Sequence, residues 1–511
     1  MKHIFILFIL TLFLGACSQA IQPVSIAEPN TEPTEQTVEI NVATKAPEPT
    51  TETMPPTAVL TQEAELVTGD GEPGSAGLGD ELFPNLGNGG YDTQHYDLQL
   101  SWDDQTGEIK GVTTINAIAT QNLTGFNLDL HALVVDNVTV NGETATYSQK
   151  NGELIIELFD GVVLSEGGLF ETGVTYHGVP QPVFDDSFPV GWLQYDTGVY
   201  VVSEPTGSQS WYPVNNHPSD KATYTMHITV PKPYIVAANG TGSPAVENGD
   251  QLTYTFIEDD LMASYLVTVN IAEYEVQSEA GEKSGIPITN YIEKGVPAEF
   301  FDAFENQDEI LAMLIDRFGP YPYDEIGGVV PLEDIGYALE TQTIPIYGQE
   351  LLSYAGDFVI VHELAHQWFG NSLTPATWDQ IWLNEGFATY SEVLLVEHDD
   401  DRAAAEGYVQ TLYEEESAFT TPPGVIDSND PGSLFSASVY SRGGLTLHAL
   451  RLTVGDEAFF EILQTYAARF AHSNVTTEDF ISVAEEISGE QLDDLFDAWL
   501  YQATLPELPD Q

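Results

Sequence analysis

The sequence has one cysteine and only thirteen lysines and arginines in 511 residues. A lone cysteine excludes an internal disulfide framework and multi-cysteine metal sites, so a metal in this chain must be held mainly by histidine and carboxylate. The basic residues stand against eighty acidic ones, a formal charge of −67. That charge repels phosphate backbones and anionic headgroups over almost any face, which excludes nucleic acid as a partner. The apolar stretch Ile4–Leu14 is eleven residues long, against about 20 needed to span a bilayer. What is present is 42% hydrophobic and 11% aromatic. This excludes disorder or fibre for most of the length and allows one to three domains with sizeable cores.

The amino end reads as an export signal. Lys2 supplies a short positive start and Ile4–Leu14 the apolar part of a secretory signal. Leu14-Gly15-Ala16-Cys17 resembles the bacterial lipoprotein signal, in which the cysteine is lipidated and becomes the first residue. Residues 1–17 are then a lipoprotein signal peptide. The expected location is the outer face of a bacterial cell membrane, held by a lipid anchor on Cys17; a plain signal peptide is the alternative. Residues 18–85 shift to Pro, Thr, Glu and Gly, a composition that cannot offset its ordering entropy. They are expected to form a disordered tether, about 45 Å end to end as a coil.

Residues 86–280 are short alternating runs rich in Val, Thr, Tyr and Leu, such as Tyr96–Trp102, Gly111–Ala117 and Tyr224–Val230. Period-two patterning at this spacing predicts an antiparallel β domain, a sandwich or saddle. Residues 281–511 turn helical. Phe300, Phe301, Phe304, Ile310, Leu311, Leu314, Ile315 and Phe318 form one apolar stripe closed by Gly319-Pro320. Further helices are expected near 355–370, 378–398, 402–419, 440–454, 456–470, 477–487 and 490–502. The fold class is thus multidomain, a β domain followed by a mostly helical α+β domain.

The chemistry concentrates in Val361-His-Glu-Leu-Ala-His-Gln-Trp-Phe-Gly370. His362 and His366 are four apart on a helix and point to one side, the arrangement a tetrahedral zinc ion needs from two imidazoles. Composition alone yields this pattern about 0.04 times in such a chain. Glu385, in Trp382-Leu-Asn-Glu-Gly-Phe-Ala388, follows on the next expected helix and completes a His₂Glu set with one open position. Glu363 is placed as the general base that takes a proton from the attacking water and passes it to a leaving amine. The alternative is two ordinary surface histidines.

The segment His362–Glu392, with Gly370-Asn371 and Trp382-Leu-Asn-Glu-Gly-Phe-Ala-Thr-Tyr390, resembles the aminopeptidase N family of gluzincin zinc metallopeptidases, which includes leukotriene hydrolase. Ser210-Trp-Tyr-Pro-Val-Asn-Asn-His-Pro-Ser-Asp-Lys-Ala222 is similar to that family's β-domain signature, with Asn216 where the family has aspartate. Met262-Ala-Ser-Tyr-Leu-Val267 and Phe496-Asp-Ala-Trp-Leu500 agree in order. The resemblance implies a thermolysin-like catalytic domain, a Zn²⁺ cofactor and peptide substrates with free amino termini. It also implies that Tyr440 stabilises the oxyanion and that Glu340, in Gly336-Tyr-Ala-Leu-Glu-Thr-Gln342, and Glu204 hold the substrate ammonium. Two carboxylates on one ammonium make an exopeptidase, since a peptide interior offers them no charge.

Familiar members carry a further helical domain, so a chain ending at Gln511 is expected to be a two-domain enzyme with a more open cleft, unless a partner subunit covers it. Two rivals remain: a thermolysin-like endopeptidase on the same metal, and a non-catalytic peptide-binding lipoprotein. An acetylated amino terminus separates the first, and chelator-sensitive turnover the second. The acidity fits either salt adaptation or a plain solvated surface.

Overall fold

Alternation in sequence becomes alternation in burial. In the strand Ala222–Pro231 every second residue is buried, with Tyr224, Met226, Ile228 and Val230 inward, as a sheet with one solvated face requires. The computed structural model describes residues 66–509 apart from 160, 186–187, 298, 420 and 428–430. The signal segment, Cys17 and the tether as far as residue 65 lie outside the described residues. Ala222–Pro231 belongs to an eight-stranded sheet, ordered Thr241–Asn248, Gln251–Met262, Ala222–Pro231, Tyr91–Trp102, Ile109–Ala119, Leu169–Gly178, Val134–Val140 and Glu143–Thr144. Its pairs are antiparallel except Ala222–Pro231 with Tyr91–Trp102. More than a hundred residues separate those two strands, enough for the crossover a parallel pair requires. Tyr96 stacks on Tyr224 with ring centroids 4.9 Å apart, at the centre of an aromatic core that includes Tyr212.

Residues 66–85, the end of the tether expected over 18–85, are held by specific partners. Leu66–Thr68 pairs with Val162–Leu164, and the chain then runs to Asp80, whose carboxylate is buried. Asp80 accepts from the Leu82 and Phe83 amides at 2.8 and 3.0 Å and from the Trp378 amide at 3.1 Å. His217 lies 3.7 Å from the same carboxylate, and Phe83 packs edge-on against Trp378. A few specific bonds order this stretch although it carries little apolar surface.

A second sheet runs Tyr274–Glu279, Ile288–Glu293, Ile326–Val330, Ile346–Tyr347 and Ala338–Leu339. Because Tyr274–Glu279 pairs with Ile288–Glu293, the border expected at 280 falls inside a hairpin and moves back to about residue 273. The single stripe from 300 to 318 divides into α1 (Glu299–Asp302) and α2 (Gln307–Phe318). The turn between them carries Phe304, which packs edge-on against Tyr347. Then follow α3 (Gln349–Ala355), α4 (Asp357–His366), α5 (Trp382–Asp399), α6 (Arg402–Glu416), α7 (Ala437–Val454), α8 (Asp456–Arg469), α9 (Thr477–Ser488) and α10 (Asp493–Leu500). Helices α5 and α7 meet at glycine: a Cβ on Gly386 would lie 2.8 Å from the Gly443 backbone. Only bare backbone permits that approach, and it brings the residue next to Gly386, Glu385, toward the helix that carries Tyr440.

Candidate metal centre

Helix α4 buries Val359, Ile360, Val361, Leu364 and Ala365. That packing holds His362 and His366 one turn apart, ring centroids 4.8 Å from each other. Glu385 stands in the first turn of α5, where a carboxylate is favoured by the helix dipole. Its Oε2 lies 3.3 Å from His362 Nε2 and 3.5 Å from His366 Nε2.

The far side of each ring decides what the near side offers. His366 Nδ1 is 3.1 Å from the Phe369 carbonyl, which can only accept, so the proton sits on Nδ1. His362 Nδ1 donates in the same way to Glu392 Oε1 at 2.9 Å, and Tyr408 holds that carboxylate by donating to Oε2 at 2.6 Å. With its proton on Nδ1, each ring in its neutral form presents the Nε2 lone pair toward an acceptor oxygen, an arrangement that either a second proton or a metal ion reconciles. Burial pulls the His366 pKa down, but Glu340 and Glu385 outweigh it and hold the imidazole at about 9. A site so short of positive charge takes up protons or a metal ion. Ligand atoms of His362, His366 and Glu385 all lie within 4.8 Å of one another, and two neutral imidazoles with one carboxylate form a zinc-type donor set.

Glu363 is buried, and burial pushes its carboxyl pKa up, as suits a group that must accept a proton near neutrality. Tyr440, one turn inside α7, stacks its ring on His362 at 6.1 Å and 22°. Burial and the surrounding carboxylates Glu385, Glu204, Glu340 and Glu363 hold its phenol well above the usual range, so it stays a neutral donor.

Glu340 follows the edge strand Ala338–Leu339. Its carbonyl accepts from Asn371 Nδ2 at 2.7 Å and Gln367 Nε2 at 3.2 Å, while its buried Oε1 has no hydrogen-bond partner. Oxygens of Glu204, Glu340 and Glu385 also lie within 4.8 Å of one another. Every site residue expected within the folded region thus comes together: His362, Glu363, His366, Glu385, Glu340, Glu204 and Tyr440.

Sequence reasoning assigned no role to several supports. Glu392 lies two turns beyond Glu385 on α5, and that spacing was a usable signal. Tyr408 on α6 gave none. Lys221, from the β domain, donates to the Asn371 and Ser372 carbonyls at 2.8 and 2.9 Å. Tyr265 donates to the Gly370 carbonyl at 3.1 Å and accepts from Asn384. The turn that follows His366 is therefore pinned by the other domain.

Residues 304–499 match the model of the peptidase family M1 domain, and residues 92–266 that of the peptidase M1 N-terminal domain. Human glutamyl aminopeptidase is 30% identical over 333 residues, 60% of this chain and 34% of that protein. Aminopeptidase N of Streptomyces lividans is 27% identical over 452 residues, 81% of this chain and 50% of that one. The chain spans about a third to a half of the length of these curated relatives. The crystal structure of an M1 zinc metallopeptidase from Deinococcus radiodurans shares 30% identity with a TM-score of 0.78, covering 85% of this chain and 99% of that one. A mutant of that enzyme bound to a Tyr-Ser-Ala substrate gives a TM-score of 0.79.

Proposed function

The chain belongs to peptidase family M1, and from that premise we propose that it is a zinc-dependent aminopeptidase releasing residues from the amino termini of peptides. One observation carries the reading: two imidazole Nε2 atoms and a carboxylate converge beside Glu340, a buried carboxylate with an unpartnered oxygen. His362, His366 and Glu385 would hold a zinc ion, which when bound would supply Lewis acidity toward a peptide carbonyl and water. Glu363 takes a proton from the attacking water and delivers it to the leaving amine. Tyr440 donates a hydrogen bond to the carbonyl oxygen as negative charge develops there. Glu340 and Glu204 bind the α-ammonium, and their separation from the metal ligands sets the cut one residue from the chain end. The tripeptide bound to the Deinococcus relative, which offers such a terminus, supports this substrate class.

Export and anchoring complete the reading. Leu14-Gly15-Ala16-Cys17 supports lipidation of Cys17, and among the described residues no helix is long and apolar enough to cross a membrane. Fatty-acid labelling that vanishes in Cys17→Ser is the expected result. For the activity, a free-amine peptide and its N-acetylated twin are compared with and without chelator. Stepwise loss of residues from the free peptide alone, abolished by chelator, is expected. Internal cleavage of both peptides overturns the aminopeptidase in favour of an endopeptidase, and turnover of neither favours a binding protein.

A further inference from the structure

The Glu204 carboxylate sits in a turn that closes on itself, the Gly207 amide donating to the Ser203 carbonyl at 2.7 Å. Among the residues that fix this turn from outside is Asn216. Its Nδ2 donates to the Thr206 carbonyl at 2.9 Å, two residues from Glu204. Its Oδ1 accepts from Ser264 Oγ at 3.1 Å. Its backbone amide donates to Asp129 Oδ2 at 2.9 Å. Ser264 in turn accepts, through its carbonyl, from Ser208 Oγ at 2.6 Å, the far side of the same turn. Asn216 is 2% exposed and Thr206 4%, so no solvent replaces these partners when one is removed.

The use of both ends of the amide matters. One side of residue 216 meets an acceptor and the other a hydroxyl, so a group that both donates and accepts satisfies the pocket. An ionised carboxylate of the same shape would face the Thr206 carbonyl with no proton to give.

We propose that Asn216 is a positioning residue for the substrate-ammonium site, acting through the Thr206 carbonyl to hold Glu204 at the distance from the metal ligands that an amino terminus requires. This rests on the aminopeptidase reading and goes beyond it by naming how the β-domain acid is held. Asn216 acts on binding of the chain end and leaves the metal and Glu363 untouched.

The test is a double-mutant cycle on an amino-acyl fluorogenic amide, using Asn216→Asp, Glu204→Gln and the pair in the full zinc-loaded chain. Asn216→Asp should raise KM about tenfold with kcat within about twofold, the size expected for one buried group left unsatisfied. Zinc content should be unchanged. In the Glu204→Gln background the same substitution should change KM by less than about twofold. If the buried carboxylate prevents folding, Ser264→Ala, which frees only Asn216 Oδ1, carries the same cycle with an expected rise of about threefold. An equal penalty in both backgrounds, or a loss that falls on kcat or zinc content, overturns the proposal while leaving the aminopeptidase intact. A wild-type enzyme that turns over no amino-acyl amide removes both.

Discussion

The metal end and the amine end of this site are built in opposite ways. The metal end is local: three ligands on two packed helices, Glu385 only 23 residues from His362, with Glu392 on the same α5 orienting one ring. The amine end is assembled from loops of two domains, Glu204 in the turn after a β-domain strand and Glu340 after an edge strand of the catalytic sheet. Lys221 ties the two ends together by gripping the turn between them. On the proposed reading, affinity for the ion is set within one layer of helices, while recognition of the chain end depends on how two domains meet.

The comparison breaks first at Glu363. Glu363→Gln should lower kcat by about 10³-fold while zinc content and KM stay near wild type; a large rise in KM would show that the ends are not separable. Next comes Glu340→Gln, which should lower kcat/KM on free amino termini by about 10²-fold through KM. Titration of a product amino acid by calorimetry checks that the loss lies in binding. Glu392→Gln leaves His362 without its anionic acceptor and should weaken zinc affinity by about 30-fold in competition with a chelator. The amine end should be untouched, so KM at saturating zinc should not move.

The smallest effect concerns pH. Burial pushes Glu153 and Asp220 up to about 7 and Glu258 up to about 8, all in the β domain, against Glu416 at about 7 in the helical one. Each keeps its proton in the folded state beyond the pH at which the unfolded chain releases it. Their contribution to stability is therefore full below about pH 4 and is lost as pH rises to about 8. Calorimetry should show Tm falling over that window, and Glu258→Gln should raise Tm at pH 8 by about 2 °C with little change at pH 4.

The same contrast explains what could be read from sequence. The four-residue spacing of His362 and His366, and Glu385 on the next helix, are helical periodicities, so the metal end was legible from the residues themselves. The helices α4 to α10 followed from apolar stripes and breakers within a few residues. Glu340, Glu204 and Tyr440 were reached only through resemblance, because nothing local marks one acid among eighty. Lys221 and Asn371, 150 residues apart, leave no one-dimensional trace, nor does the clasp of Tyr408 on Glu392. The stretch 66–85 was misread because composition measures apolar surface, and what orders it is backbone pairing with the β domain together with one buried carboxylate, Asp80, capping its own turn and reaching Trp378. The break between α1 and α2 escaped because Phe300 and Phe304 keep the stripe's spacing while the backbone turns.

Elemental analysis of the purified wild type beside Glu385→Ala tests the central claim most directly. The account predicts about one zinc ion per wild-type chain and less than about a tenth of that in the variant, with hydrolysis lost in proportion. An active wild type without bound metal, or equal zinc and equal turnover in both proteins, would contradict it.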